Sequence, residues 1–339
     1  MNIILEDSHC RDQLFPFTYT RHIADIRIGI LTIRQKWERL TGQPISAKIG
    51  GSTSKELIIN ANIIPSLDNF KSILSNDPQQ FKGFEYPWQL FQLNDEAIRM
   101  DFQLLTKGRK SQAISSTNKT INKPDIFIEE GAQVEHSILN ASTGPIYIGK
   151  KAVVMEASLI RGPFALGEHA VLKMGSRVYG ATTIGPYCIA GGEIKNSILM
   201  GFSNKAHDGY LGDSVIGEWC NLGAGTSNSN IKNTAGEVRY ILNKNKETIG
   251  AGHKGGLLMG DYSRSAINTS FNTATVVGVC CNIFGNSMPS KYIANFSWGI
   301  ERYDLNKAIK DIDNWKKLKG FTITDQEMAM ITRLYNSKQ

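Results

Sequence analysis

The sequence predicts a mixed fold: a small N-terminal α/β unit, a long parallel β-helix built on a six-residue repeat, and C-terminal helices. Three observations predict it. Ile148, Val154, Ile160, Leu166, Leu172, Val178, Ile184 and Ala190 follow one another at an unbroken step of six, all apolar. A strand–helix–strand pattern precedes them. Two segments with helical apolar spacing, the second opened by a Thr–Glu capping signature, follow them.

Residues 1–120 form the first unit. Residues 2–5 read as a short buried strand. Residues 23–40 read as one helix with Ile26, Ile30, Ile33 and Trp37 on a single face, and residues 56–64 as a second strand ending at Pro65. The Ser/Thr/Asn/Lys stretch 110–123 reads as a linker.

Residues 121–300 form the β-helix. A step of six turns a helical side chain to a new face each time, and a flat sheet repeats every two residues. A coil with a corner every six residues fits directly. Each apolar residue then points inward, and Gly follows at the corners, as at Ile148-Gly149, Leu166-Gly167 and Ile184-Gly185. Ile128, Val134 and Ile146 give an earlier set in another phase, with Asn140 in the slot between. Ile216 and Leu222 resume the repeat, and Phe271, Val277 and Ile283 close it. Stacked coils bury a core that no single coil could.

The repeat breaks at 196–209 and at 227–256, the second rich in Asn, Lys and Gly. Loops that leave a solenoid often carry function. The distal part of the second reads equally well as a tolerated surface insertion. Residues 301–339 form the cap: residues 304–318 as one helix, then a helix opened by Thr324 and Glu327, both packing on the solenoid's open end.

The formal charge is +7, but Lys and Arg are dispersed apart from Lys316, Lys317 and Lys319. No basic stripe for nucleic acid is present, and no apolar run matches a membrane span. Acidic residues come too early for a signal peptide, so a cytoplasmic protein is expected. The five cysteines form no C-x-x-C pair and read as reduced, buried thiols.

Residues 193–226 carry Lys205-Ala206-His207-Asp208-Gly209-Tyr210-Leu211-Gly212-Asp213 and Asn221-Leu222-Gly223-Ala224-Gly225-Thr226. These resemble the K-A-x-H-x-x-Y-L-G-D and N-I-G-A-G-T motifs of the bacterial bifunctional UDP-N-acetylglucosamine diphosphorylase/glucosamine-1-phosphate N-acetyltransferase. FPFTYTRHIADIRIGILTIRQKWE, SNIKN, MGDYSRSAINTSFNTATVVG and FSWG resemble a divergent form of the same family with a reduced N-terminal half. The resemblance covers nearly the whole chain and is strongest over residues 126–299. It implies a left-handed β-helix acyltransferase joined to a sugar nucleotidyltransferase-like α/β domain. It also implies acetyl-CoA and an amino sugar 1-phosphate as substrates, and a homotrimer with sites between neighbouring prisms.

Acyl transfer needs a base near neutral pKa to take the amine's proton, a donor for the oxyanion, and cations for the phosphate. The resemblance puts the base at His207 and the thioester-facing N–H at Ala224. It puts the sugar-phosphate ligands at Arg177, Lys195, Tyr210 and Asn221, with Ser229 and Asn230 completing the site. Lys232, Lys244 and Lys246 all stand for a further lysine of the second loop. His253 sits in no such motif. His207 is followed by Asp208-Gly209, where better-known members have an apolar residue and then Ser or Thr.

In the N-terminal half, the Gly-rich nucleotide loop expected of this family is replaced by Glu6-Asp7-Ser8-His9, and residues 59–62 hold no carboxylate. Arg21, Arg27 and Lys36 could hold phosphate, and Asp7 or Asp25 magnesium; structural ion pairs explain them equally well. If this half acts, it takes UTP or another nucleotide with Mg2+. Two alternatives stand beside the acetyltransferase: a sugar-1-phosphate nucleotidyltransferase with a mainly structural β-helix, and a non-catalytic scaffold.

Overall fold

The computed structural model describes residues 2–7, 10–50, 56–75, 81–242 and 247–337. A parallel sheet in the order β4 (Ser46–Lys48), β1 (Asn2–Glu6), β5 (Glu56–Asn60) opens the chain. Five helices accompany it and the solenoid among these residues: α1 (Ile33–Thr41), α2 (Phe70–Leu74), α3 (Pro87–Thr106), α4 (Leu305–Lys317) and α5 (Asp325–Asn336).

The single helix expected over residues 23–40 is not what forms. A 3-10 turn at Ile23–Asp25 leads to a two-stranded hairpin, β2 (Arg27–Ile28) and β3 (Leu31–Thr32), and the helix begins only at Ile33. Helix α3 is the cause. Its Asn94 Oδ1 accepts from Gly29 N (2.7 Å), and its Asp101 Oδ2 accepts from Ile30 N and Leu31 N (2.8 and 3.0 Å). These tertiary partners take the N–H groups a helix would have used. Gly29 has φ +72°, and a Cβ there would lie 2.5 Å from Asp101 and 2.7 Å from Ala97, so only glycine allows the turn to lie on α3. Thr32 and Gln35 then cap α1 reciprocally.

The solenoid is a left-handed parallel β-helix with three faces, in sheets of nine, ten and six strands. It begins within the expected linker, at strand Lys119–Ile121. The eight residues of the repeat are all buried inside the prism, 3% exposed or less. In the first coil Leu139, not Asn140, fills the inward slot: Leu139 is fully buried and pairs in register with Ile160. Asn140 points outward and caps the corner at Ser142 N.

The faces differ outside. Second-face strands such as Gln133–Val134 and third-face strands such as Leu159–Arg161 bury one residue and expose its neighbours. First-face strands such as Ile126–Ile128, Ile146–Ile148 and Phe164–Leu166 are buried on both sides. The N-terminal unit lies against them: Phe127, Tyr147 and Ala165 pack on Ile30, Leu31, Ile98 and Leu105. Asn94 Nδ2 donates to Ala181 O and Arg27 Nε to Met200 O, both at 2.8 Å.

Helices α4 and α5 start where expected, capped by Asp304 and by the Thr324–Glu327 box. They do not sit on the open end. The chain runs back along the edge between the first and second faces, because that edge presents an aromatic ladder. His169, Tyr187, Phe202 and Trp219 occupy left-handed corners on successive coils (φ 55–59°) and stack at 4.9, 5.0 and 4.4 Å. Phe321 meets Tyr187, Phe202 and Trp219 edge-on at 5.3–5.7 Å. Lys316 stands 4.6 Å over the Trp219 ring and pairs with Glu327. The left-handed corners cost roughly 1 kcal/mol each, which stacking of this kind offsets.

All five cysteines are buried, and none is joined in a disulfide among the described residues. Burial pushes Cys188 up to about 12 and Cys281 up to about 11.

Candidate functional site

The step of six is lost just ahead of the 196–209 break, at a tightened corner between the second and third faces. After Ala190 the coil turns on Gly191-Gly192 rather than running six residues on. The loop 206–209 of the next coil lies directly against this pair: a Cβ on Gly191 would stand 2.5 Å from Ala206 O, and one on Gly192 2.8 Å from His207 O. Gly209 closes the loop at φ +121°, where a Cβ would be 2.1 Å from Thr226 O. This explains glycine at a position where better-known members carry Ser or Thr.

Lys205 precedes the loop and holds it. Its register partner is Ala190, so it occupies an inward slot of a column that is otherwise aliphatic except at Ser265. It is 2% exposed, and its Nζ donates to Gly191 O (3.1 Å) and to His207 O. Burial lowers its pKa to about 8, opposed by Asp208. The sequence reading assigned no role to Lys205. The signal available was a charged residue where the inward column required an aliphatic one.

His207 is exposed at the apex of this corner. Ala224 lies on the corner of the next coil, tied to the first by Gly225 N donating to Asp208 O (3.1 Å). The base and the oxyanion donor assigned by resemblance therefore share one edge on adjacent coils.

The third face brings together Arg177, Lys195, Tyr210 and Asn230. Arg177 pairs in register with Glu193, Glu193 with Tyr210, and Lys195 with Gly212. Gly212 has no side chain, and the Tyr210 ring lies over it; a Cβ there would be 2.2 Å from the Tyr210 hydroxyl. Asn230 Nδ2 donates to Tyr210 Oη (3.1 Å) and to Asp213 Oδ2 (2.5 Å), and Asn196 Nδ2 donates to Asp213 Oδ1 (2.6 Å). Burial, then Asp213 and Glu193, push the Tyr210 phenol up to about 12, so it stays protonated. Asp213, unassigned from sequence, is the hub of this cluster. Arg177 is exposed and 3.7 Å from Glu193, free to engage an anion.

Asn221 is not with them. It sits on the second face, where its Oδ1 accepts from Asn204 Nδ2 (3.3 Å). Of the loop residues, Ser229 bonds Ile231 O (2.9 Å), Lys232 bonds Glu237 O, and His253 rests on Ala235 O (3.3 Å). Lys244 and Lys246 lie outside the described residues.

The cations noted in the N-terminal half are spent internally. Arg21 pairs with Asp261 and, at 3.5 Å, with Glu218 of the solenoid. Lys36 and Asp101 form a buried pair; burial pulls the lysine down and pushes the carboxyl up, each opposed by the other's charge. Asp25 binds Arg34 at 2.6 Å, while Asp7 takes Arg11, Ile23 N and His22. Ser8 and His9 lie outside the described residues. Among the described residues no group of three or more His, Cys, Asp or Glu is placed to hold a metal ion, and no helix is long and apolar enough to cross a membrane. With both carboxylates already engaged by cations, Asp7 and Asp25 do not fit as magnesium ligands, and no step is derived through that ion.

A sequence profile of the family described as sugar nucleotidyl transferase matches residues 2–82. The Methanococcus maripaludis bifunctional protein GlmU is 32% identical over 200 residues, 58% of this chain and 47% of that protein. This chain is similar to bifunctional sugar-1-phosphate nucleotidylyltransferase/acetyltransferases. GlmU of Methanocaldococcus jannaschii is 32% identical over 114 residues, 33% of this chain and 27% of that protein. A protein of Sulfurisphaera tokodaii named for those two activities is 31% identical over 99 residues, 29% of this chain and 24% of that protein. The chain spans less than half the length of each of these relatives. These relatives include archaeal proteins.

Proposed function

We propose that this chain transfers an acetyl group from acetyl-CoA to the amine of an amino sugar 1-phosphate of the glucosamine-1-phosphate type. One observation carries the reading: His207 and Ala224 share one edge on adjacent coils, beside a face that presents Arg177, Lys195 and the Tyr210–Asn230 pair. Arg177 and Lys195 hold the phosphate and Tyr210 and Asn230 the sugar hydroxyls, while Asn221, on the second face, joins a site only across a contact with a neighbouring prism. His207 takes a proton as the amine attacks the thioester carbonyl. The Ala224 N–H donates to the oxyanion. Collapse expels the CoA thiolate, which receives the proton from the imidazolium, leaving amide and free thiol.

These residues lie on two faces of a convex edge, and a ligand site is concave. The reading therefore takes a homotrimer, with a neighbouring prism closing each site. The third face supplies an apolar contact surface for it at Ile121, Ile138 and Leu159, 39–50% exposed and uncovered among the described residues. Buried free thiols suit the cytoplasm, where acetyl-CoA is at hand.

The test is release of free thiol from acetyl-CoA by the purified protein with glucosamine 1-phosphate. His207→Ala is expected to lower kcat by roughly a hundredfold or more; equal activity of the two proteins sinks the assignment of the base. The match over residues 2–82 favours a second activity, uridylyl transfer from UTP to form UDP-N-acetylglucosamine. Pyrophosphate release from UTP and N-acetylglucosamine 1-phosphate with magnesium tests it, and no release rejects it.

A further inference from the structure

We propose that the N-terminal unit holds the acceptor side of the acyltransferase site in its working shape, with Trp88 and Tyr240 as the positioning residues. This rests on the acetyltransferase reading above.

The chain leaves the solenoid after Asn228 and returns at Leu257. Between them it must place Asn230 on Tyr210 and Asp213. Its own means are poor: the segment is rich in Asn, Gly and Lys, and among its described residues the strands are a hairpin of Arg239–Ile241 against Thr248–Gly250. A hairpin of that size is not stable alone in water. The structure anchors it on α3 instead. Tyr240 is fully buried and stacks on Trp88 at 5.1 Å, nearly coplanar, and Trp88 stacks on Tyr86 at 4.7 Å. Val238, Leu242 and Ala251 join the N-terminal core, and Gln92 Nε2 donates to Ala251 O (3.0 Å). Through Val238, Tyr240, Leu242 and Ala251 the described part of the insertion is tied to the core, while Glu237, Arg239, Thr248 and residues 252–254 stay exposed.

From that anchor a short chain of contacts reaches the site. Tyr240 Oη donates to Gly256 O (3.1 Å). Gly256 N donates to Asp213 O (2.8 Å), and the adjoining Gly255 N donates to Asn230 O (2.9 Å). Gly255 lies so close under the Tyr240 ring that a Cβ there would be 2.7 Å from its hydroxyl. Asn230, itself held by Asp213, in turn holds Tyr210. Each link is a packed contact or a hydrogen bond between neighbours, so displacing the Tyr240 ring moves the backbone that carries Asn230. His207 and Ala224 stand at the edge itself and share none of these links.

The variants are Trp88→Ala, Trp88→Phe, Tyr240→Phe and Gln92→Ala in the full chain. Two readouts apply: steady-state kinetics with glucosamine 1-phosphate and acetyl-CoA, and hydrogen exchange at the Gly255 and Gly256 amides. For Trp88→Ala we expect KM for the sugar phosphate to rise about tenfold, with KM for acetyl-CoA and kcat within about twofold, and exchange at both amides to quicken at least tenfold. Trp88→Phe, which keeps an aromatic face, restores most of both. If Trp88→Ala does not fold, Tyr240→Phe, which removes only the hydroxyl bond, and Gln92→Ala carry the same expectation in smaller degree. Unchanged exchange at Gly255 and Gly256 in the folded variants, or equal rises in the two KM values, overturns the proposal. If the wild type acetylates no amino sugar phosphate, the function falls and the exchange measurement alone decides this inference.

Discussion

Lys205→Met tests whether an ammonium group inside the prism is kept for position rather than for stability. The side chain fills an apolar column opposite Ala190 with two carbonyl partners and no carboxylate in contact. Burial brings its pKa from the ordinary 10.5 to about 8, equivalent to about 3 kcal/mol against the charged folded form. Below pH 8 the lysine is charged both folded and unfolded, and the full cost applies. Between pH 8 and 10.5 the unfolded chain keeps a proton that the folded chain has lost, so stability rises with pH, and above 10.5 the rise stops. Methionine has nothing to titrate. The difference in unfolding free energy, wild type minus variant, should therefore climb by about 3 kcal/mol between pH 7.5 and 10.5 in urea titrations, with the variant the more favoured partner at the low end. The other titrating thiols and phenols are common to both proteins and cancel. At pH 7.5 the variant should also lose kcat by about tenfold, because the backbone of His207 loses its tether. A difference that stays flat with pH refutes the argument, as does a variant with undiminished kcat.

Three further outcomes are expected. Gly209→Ser, which restores the residue type of better-known relatives, should lower stability by more than ~2 kcal/mol in thermal or urea unfolding, since its Cβ would lie 2.1 Å from Thr226 O. Asp101→Ala strands the Lys36 ammonium and two backbone N–H groups, and should cost about 3–5 kcal/mol; a loss under 1 kcal/mol in the same unfolding assay would show that the pair is not buried as described. Ile138→Glu, on the bare third face, should shift sedimentation from trimer to monomer at micromolar protein while leaving the far-ultraviolet spectrum unchanged, and an intact trimer would place the contact elsewhere.

Much of the solenoid was legible because its signal is one-dimensional: an inward residue every six, with no reference to the rest of the molecule. The signal weakened where corners lengthen or shorten. Asn140 was read into an interior slot that Leu139 fills, since residues 141–145 extend that corner. The N-terminal half was less legible, and α3 shows why. Its buried stripe runs through Trp88, Phe91, Asn94, Ile98, Asp101 and Leu105. The two polar members, each bound to a backbone that arrives from far away in sequence, hide the apolar period. Those same two residues remake residues 23–32 from helix into hairpin, so one unread element caused a second misreading. At the site, motif residues on one face came together, but Asn221 fell on another, because adjacency in a motif that crosses a corner is not adjacency in space. The structural use of Arg21 and Lys36 was one of two readings that the sequence left level; their partners, Asp261 and Asp101, lie 240 and 65 residues away.

The double burial of the first face bears on how this molecule can be cut. A fragment starting near Lys119 would retain every rung and every inward aliphatic, yet it would uncover Phe127, Tyr147, Ala165, Ile198, Met200 and Val215 as an oily strip interrupted at Thr183. Such a piece would meet others of its kind through that strip before any contact of the third face. The solenoid and its N-terminal partner are therefore inseparable without laying that strip bare.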